Sequence, residues 1–509
     1  MDLHRIIDTL ATARAVANLY LHRSGYVPTS QDALVLQDIA NDLPPLEDMV
    51  DQEITKLVEL KYNIQDQKEL LDALVSPCRR LPIEILSMIF VLALPDGWSR
   101  QYTGKREFNC MSVCVAWRDV ALQTPQIWTA LSFSAHANPL KNHTQALATE
   151  LQKTGRLPLD VSIDVGRKAV IDDVWSEEAW ALLCAQSHRC RHVSLSHIPV
   201  AAYDALATRK FTTLQALSIC HYDRVTDIPL HAFERESTTV ESLSITCWTS
   251  LHRTVDLPAM WPLTDLTIDL HYADPSVKLA PFQNAIFARS STLRACKITA
   301  ASLGFACEGE PRAFPCLEKL VLEHEATELC HIISCPNLRS LTMWSRDNPL
   351  VHRPWHALTS LLDQSSNCKM LLSLTLQELV LVGSEPLVRC LEQLPSLTDL
   401  DLEDDDYDED RRLITPEVLL SLSRYSDHKD LLPNLQRLRL SLGLGIEDDE
   451  DDYDYPALVE AIIQSRRHAE ISNGTQLVAL ESLYAMSAYA ELPWFPTRGS
   501  EAGGAVHGV

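Results

Sequence analysis

The sequence predicts a mixed α/β chain, with a helical front followed by a long solenoid of parallel strands. Three observations carry this. An apolar-x-x-apolar-x-apolar unit recurs from Thr213 to Leu440. Ahead of it, apolar residues fall at three- and four-residue steps, the helical period. Glycine is scarce, 15 residues in 509, which disfavours glycine-rich phosphate loops and low-complexity tracts.

Residues 1–76 read as a helical segment. Met1 to Leu21 is amphipathic, and Gly25, Pro28 and Ser30 interrupt it. A second helix begins near Asp32, and Leu43-Pro44-Pro45 is expected to break it, because proline lacks an N–H and clashes with the preceding turn. From Leu46 to Val75, residues such as Met49, Val50, Ile54, Leu57, Leu60, Ile64, Leu71 and Leu74 make a third helical stripe, interrupted by Lys61 and Lys68. The simplest expectation is a helix packed on the module after it; dimerisation through the stripe is the other reading.

Residues 77–131 hold the densest pattern. Leu81-Pro82-Ile83-Glu84-Ile85-Leu86 opens a helix with proline where no intrahelical N–H is needed and with an anion at the positive dipole end. Ile85, Leu86, Ile89, Phe90 and Leu92 to Leu94 then make it apolar over most of its surface, more than one core contact needs. Beyond a polar gap, Val113-Cys114-Val115-Ala116-Trp117-Arg118-Asp119-Val120-Ala121 and Pro125-Gln126-Ile127-Trp128 complete the unit. This order and spacing resembles the F-box, a three-helix module, although residues 95–109 are longer and more polar than the usual link. The resemblance implies docking on a Skp-type adaptor, and through it on a cullin. It points to Leu81, Pro82, Ile85, Leu86, Ile89 and Phe90 as contacts, with Val113, Cys114, Trp117 and Trp128 in or beside them.

After Trp128 the texture changes. Leu131 to Ser134, Leu159 to Asp164 and Cys190 to Leu195 alternate as strands, with helices at His143 to Thr154 and Trp175 to Ser187. The recurring units begin at Thr213, Val240, Leu263, Leu293, Leu317, Leu338, Leu376, Leu397 and Leu435, several after a Pro-x turn. Their spacing suits stacked repeats that bury a shared core which none could bury alone. Residues 132–487 thus resemble an irregular leucine-rich-repeat solenoid. The asparagine usual after each strand is missing, so those turns must be satisfied differently. The solvent-facing strand positions include Gln215, Ser242, Asp265, Arg294, Lys319, Arg339, Asp399 and Arg437, a mixed set that names no target protein. Helices at His356 to Leu362, Pro416 to Arg424 and Ala457 to Arg466 are expected on the other face. Acidic runs at 401–410 and 447–454 read as solvated loops, or as a negative rim for a basic segment. Residues 488–509 read as a flexible tail.

Composition excludes several function classes. Net charge is −25, with 69 acidic against 44 basic residues, the wrong sign for nucleic acid or an anionic membrane. The 14 cysteines follow no regular spacing and read as reduced, buried small residues of a cytoplasmic or nuclear protein. The N-terminus carries charge where a signal peptide would be apolar, and no apolar run could span a bilayer. No nucleotide-binding, zinc-protease or hydrolase motif occurs. Cys184, His188, Cys190 and His192 are the one dense Cys/His cluster, and their placement does not force the convergence that zinc requires. No catalytic residue, cofactor or metal is expected. The reading is a substrate receptor for a Skp–cullin–F-box ubiquitin ligase; the alternative is an interaction scaffold that uses the same contact without ubiquitin transfer.

Overall fold

The computed structural model describes residues 3–93, 110–134, 144–166, 175–221, 230–233, 239–248, 255, 257–270, 278–300, 303, 310–345, 354–379, 384–404, 412–425, 431–442, 455–472, 474–487, 490–491 and 495–496. The chain divides into two compact units, Met1–Leu92 and Ala93–Val509. The boundary falls inside the 77–131 segment.

The first unit contains α1 (Leu3–Val16), α2 (Leu19–Arg23), α3 (Ser30–Val75) and α4 (Ile83–Leu92). A capping box starts α3: Asp32 N–H donates to the Thr29 hydroxyl at 3.3 Å, and Thr29 N–H donates back to the Asp32 carboxylate at 3.1 Å. Hydrogen bonds from Thr29 and Tyr26 hold that carboxyl below the usual aspartate range. The break expected at Pro44-Pro45 is absent, and α3 runs through both prolines for 46 residues. Each proline strips one carbonyl in the preceding turn of its donor, but both prolines lie on the exposed side, where water can supply one. The opposite side is held by α1, which packs on α3. Ile6 of α1 and Leu46 of α3 are buried there, with Leu36, Ile39, Leu43 and Val50 half-buried beside them. Beyond Glu53 the expectation of a packed apolar face fails: Ile54, Leu57, Leu60, Ile64, Leu71 and Leu74 are all exposed.

The second unit opens with α5 (Cys110–Val113), α6 (Val115–Leu122) and a 3-10 turn, Pro125–Trp128. A single fifteen-stranded sheet follows. Its parallel strands are β1 (Ala130–Ser134), β2 (Leu159–Asp164), β3 (Cys190–Ser196), β4 (Ala216–His221), β5 (Ser242–Cys247), β6 (Asp265–Leu270), β7 (Ala295–Ala300), β8 (Lys319–His324), β9 (Ser340–Trp344), β10 (Ser373–Gln377), β11 (Asp399–Glu403), β12 (Arg437–Leu442) and β13 (Ser482–Ser487). They pair in chain order, each with the next, as a solenoid-like repeat requires. Alternate residues point inward, as in Leu243, Ile245 and Cys247 of β5. Those side chains join helices of the return segments, including Trp180 and Leu183, Leu358 and Leu361, and Leu387 and Leu391, in one cluster running from Leu131 to Ala485. On the other face most of the described side chains are half-buried or exposed, as in Ser242, Ser244 and Thr246 of β5.

Three placements differ from the sequence reading. The unit read at Leu376-x-x-Leu379-x-Leu381 lies at Leu371-x-x-Leu374-x-Leu376 instead: both phases match the pattern, but pairing with Ser340 and Asp399 selects Ser373–Gln377, and the left-handed backbone at Glu378 (φ 54°) ends the strand. One strand, β13, escaped the pattern because its third apolar position is Ala485. In the expected tail, Ala490–Glu491 and Phe495–Pro496 add antiparallel to β13; residues 488–489, 492–494 and 497–509 lie outside the described residues.

The missing asparagines are replaced by backbone and arginine. At the strand entrances one carbonyl accepts two consecutive N–H groups from the next repeat. Gln215 O takes Glu241 N–H at 2.9 Å and Ser242 N–H at 3.0 Å, Arg294 O takes Glu318 at 2.8 Å and Lys319 at 3.0 Å, and Thr398 O takes Gln436 at 2.8 Å and Arg437 at 2.9 Å. The same pairing recurs at Glu241, Thr264, Glu318, Arg339, Leu372 and Gln436. At the strand exits His197, His324 and Glu378 adopt left-handed backbone. On the return side, buried arginines donate to turn carbonyls. Arg189 bonds Gly155 O at 2.6 Å and Leu157 O at 3.2 Å. Arg466 bonds Leu422 O at 2.7 Å, Leu431 O at 2.7 Å and Leu432 O at 3.1 Å. Burial, with Arg424 nearby, pushes the Arg466 pKa down to about 9, so the group stays charged at neutral pH.

Two outcomes follow from these contacts. Arg466→Leu strands the buried carbonyls of Leu422 and Leu431, while Leu432 O keeps the Leu435 N–H, and should lower the stability of the second unit by about 2 kcal/mol or more, read by denaturant unfolding. Pro44→Ala with Pro45→Ala restores two helical donors and should stabilise the first unit by about 2 kcal/mol or more, read as helical signal persisting to higher temperature.

Candidate interaction surfaces

The candidate contact residues fall in α4 of the first unit, in residues 110–128 of the second, and on the outward face of the sheet. In the first, Pro82 starts α4 and its carbonyl accepts Leu86 N–H at 3.0 Å. Leu86 and Phe90, four apart on one face, are 5% and 0% exposed. They belong to the fold and are closed to a partner in this conformation. Leu81 is half-buried and Pro82 exposed. Ile85 and Ile89 are exposed, and so are Ile83, Met88, Val91 and Leu92, which the sequence-predicted contact set omits. The signal for them was present: a helix apolar nearly all round has more greasy surface than one buried face uses.

Further along, Cys114 takes an extended backbone (φ −164°) that separates α5 from α6. Its carbonyl accepts Arg118 N–H at 3.0 Å. Val113 and Val115 are exposed, while Cys114 and Trp117 are half-buried. Trp128 works within the fold: its indole N–H donates to Ala121 O at 2.9 Å, and the Lys153 ammonium sits 4.1 Å from its ring centroid. Val120, Ala121 and Ile127 are buried. Residues 94–109, with the long polar link, lie outside the described residues.

The outward face of the sheet carries ion pairs between neighbouring strands. Ser242, Asp265, Lys319, Asp399 and Arg437 stand on it; Gln215, Arg294 and Arg339 do not, because each precedes its strand and supplies the entrance carbonyl. Lys297 of β7 meets Glu323 of β8 at 2.7 Å. Asp399 pairs with Arg437, Asp401 faces Arg439 at 3.9 Å, and Arg439 lies 5.4 Å from the Tyr484 ring. Asp399 and Asp401 diverge. Burial works against charge at Asp399, but hydrogen bonds from Arg437 and Thr398 outweigh it and its pKa falls. At Asp401 burial dominates, Arg439 offsets it only in part, Glu403 adds to it, and the pKa rises.

The acidic run at 401–410 therefore starts inside β11, not in a loop. Asp404 is buried and its carboxylate accepts Leu413 N–H at 2.6 Å and Ile414 N–H at 2.9 Å. Residues 405–410 and the run 447–454 lie outside the described residues. In the Cys/His cluster, Cys184 and Cys190 line a small apolar cavity with Trp180 and Phe211, and burial pushes both thiols up to about 12. His192 instead bonds Asp160 at 2.8 Å on the outward face. Among the described residues no three potential ligands gather as a metal site, the cysteines are free thiols, and no helix is long and apolar enough to cross a membrane.

No family model matches this chain, and no curated protein matches it. Among solved structures, the yeast complex of Rad7 and Elc1 aligns over 78% of this chain and 95% of that one, at 16% identity and a TM-score of 0.35. A superposition that loose does not bear on function.

The two aspartates set opposite pH responses. Asp399, with a lowered folded pKa, stabilises the sheet above the ordinary aspartate value of 3.8, and that contribution is lost as pH falls through the folded value. Asp401, with a raised pKa, is favourable while protonated, and that contribution is lost as pH rises through the folded value. Thermal melts should show Asp399→Asn destabilising and Asp401→Asn stabilising at pH 7; the Asp401 difference should shrink as pH falls toward the ordinary aspartate value of 3.8, while the Asp399 difference should persist down to that value and shrink only below it.

Proposed function

We propose that this chain is a substrate receptor of a Skp–cullin–F-box type ubiquitin ligase. Its α4 docks on a Skp-type adaptor, and its repeat sheet holds a target protein. The observation that carries the reading is α4: the segment with the F-box-like residue pattern leaves Ile83, Ile85, Met88, Ile89, Val91 and Leu92 in solvent. Isolated exposed apolar residues are ordinary, but a cluster on one short helix marks a contact surface. Interface cores are depleted in charge, with their energy in a few anchors. Ile85 and Ile89 serve as anchors in this reading. Leu86 and Phe90 hold the helix from behind, while Trp128 clamps α6. The receptor performs no bond chemistry of its own; it supplies proximity between target and ligase, a large effect for a bimolecular transfer.

The sheet supports the second half. Its outward face offers cations and anions at fixed spacing, Lys297 with Glu323 and Asp399 with Arg437, suited to a polar protein surface. A scaffold that binds the adaptor without ubiquitin transfer would present the same surfaces.

Ile89→Asp decides the adaptor contact, since Ile89 is exposed and its substitution should leave the fold intact. Capture of a purified Skp-type adaptor should fall by roughly a hundredfold, about 2.7 kcal/mol, with an unchanged thermal transition. Undiminished capture would remove the receptor reading. If capture is lost as expected, failure of the wild-type complex to recruit a cullin would leave the scaffold.

A further inference from the structure

Among the described residues, the second half of α3 carries an apolar stripe that neither the fold nor the adaptor contact uses. Its position follows from burial alone. Where α1 covers α3, the half-buried and buried positions are Asp32, Leu36, Ile39, Leu43, Leu46, Val50 and Glu53, alternating four- and three-residue steps. That is the a/d seam of a coiled coil. Continued in phase, the same seam runs through Leu57, Leu60, Ile64, Gln67, Leu71 and Leu74, every one exposed. Residues 57–74 extend about 27 Å at 1.5 Å per residue. The covered half is therefore an internal precedent for what the bare half is shaped to receive.

The edges identify the occupant. The positions flanking the bare seam are Ile54, Lys56, Lys61, Asn63, Lys68, Leu70 and Val75, so every charge there is positive. The carboxylates of this stretch, Glu59, Asp66, Glu69 and Asp72, sit away from the seam. This segregation stands out in a chain of net charge −25. Lys56 pairs with Glu53 of its own helix at 2.9 Å and remains largely exposed. A second copy of the chain fits poorly. Parallel pairing sets Lys56 against Lys61, antiparallel pairing brings the Lys61 and Lys68 edges together, and flanking charges decide coiled-coil partner choice.

We propose that residues 54–75 of α3 form a docking seam for an amphipathic helix of another protein, whose leucine or isoleucine stripe is edged by glutamate or aspartate. The apolar stripe supplies affinity, Gln67 and the lysines set register and sign, and the site is independent of α4.

The probe is a designed helical peptide about three heptads long, with Leu and Ile at a and d and Glu at e and g, labelled for fluorescence anisotropy and titrated with the full-length protein. A control peptide carries Lys at e and g. The Glu-edged peptide should bind at least roughly tenfold more tightly, with the gap narrowing at high salt. Lys61→Glu with Lys68→Glu should reverse the order. Ile64→Asp should abolish binding of both, with the thermal transition and adaptor capture unchanged. Equal affinity for the two peptides, binding to neither, or indifference to Ile64→Asp would overturn the proposal. So would a stable dimer in sedimentation equilibrium that Ile64→Asp dissolves.

Discussion

The second unit depends on the hydrogen bond between one repeat's entrance carbonyl and two consecutive N–H groups of the next. A repeat with two or three inward leucines has too little core to stand alone. It becomes stable only where its strand meets the next in register, so that Leu243 lies over Leu266 and Leu374 over Leu400. The shared carbonyl sets that register at the point where each strand from β5 to β13 begins. It rests on main-chain atoms, with a threonine hydroxyl added at Glu241 O and Leu372 O, so Gln215, Thr264, Arg294 and Leu372 all serve. The sequence at the entrance is therefore free to vary, while the apolar positions behind it are not.

The return side works under a harsher condition. Turns between stacked repeats lie away from water, and buried carbonyls need donors. Regular repeat proteins meet this with one residue type at one position; this chain uses whatever reaches. Arg189 and Arg466 each spread a guanidinium over several carbonyls, and Asp404 receives two N–H groups from the chain after β11. A guanidinium's planar fan of donors suits several acceptors at once, and the carbonyl dipoles help offset the cost of taking its charge out of water.

The first unit follows different logic. Its helices are stabilised along seams, and those seams exceed what the unit covers. On α3 the apolar stripe outruns α1. On α4, Leu86 and Phe90 close one face while six apolar neighbours stay in solvent. Each surplus is a surface with affinity to spare, and charge tells them apart: the α3 seam is edged by lysine, whereas α4 carries only Glu84 at its start. Surfaces of such different character suit different partners.

By itself the sequence determined the mixed α/β class, the helical front and the parallel strands other than β10 and β13, because hydrophobic period is a local property of the chain. It also determined that α4 is too apolar for a single buried face. Which of those apolar residues turn inward was decided only in three dimensions: Leu86 and Phe90 cannot be told from Ile85 and Ile89 by residue type. The phase of β10 was likewise open, since leucines at 371, 374, 376, 379 and 381 satisfy two frames and only pairing with both neighbouring strands selects one. The roles of Arg466 and Asp404 had no local signal, because their partners stand one repeat away. Periodicity is written along the chain; burial, register and the satisfaction of buried carbonyls belong to pairs of residues far apart in it.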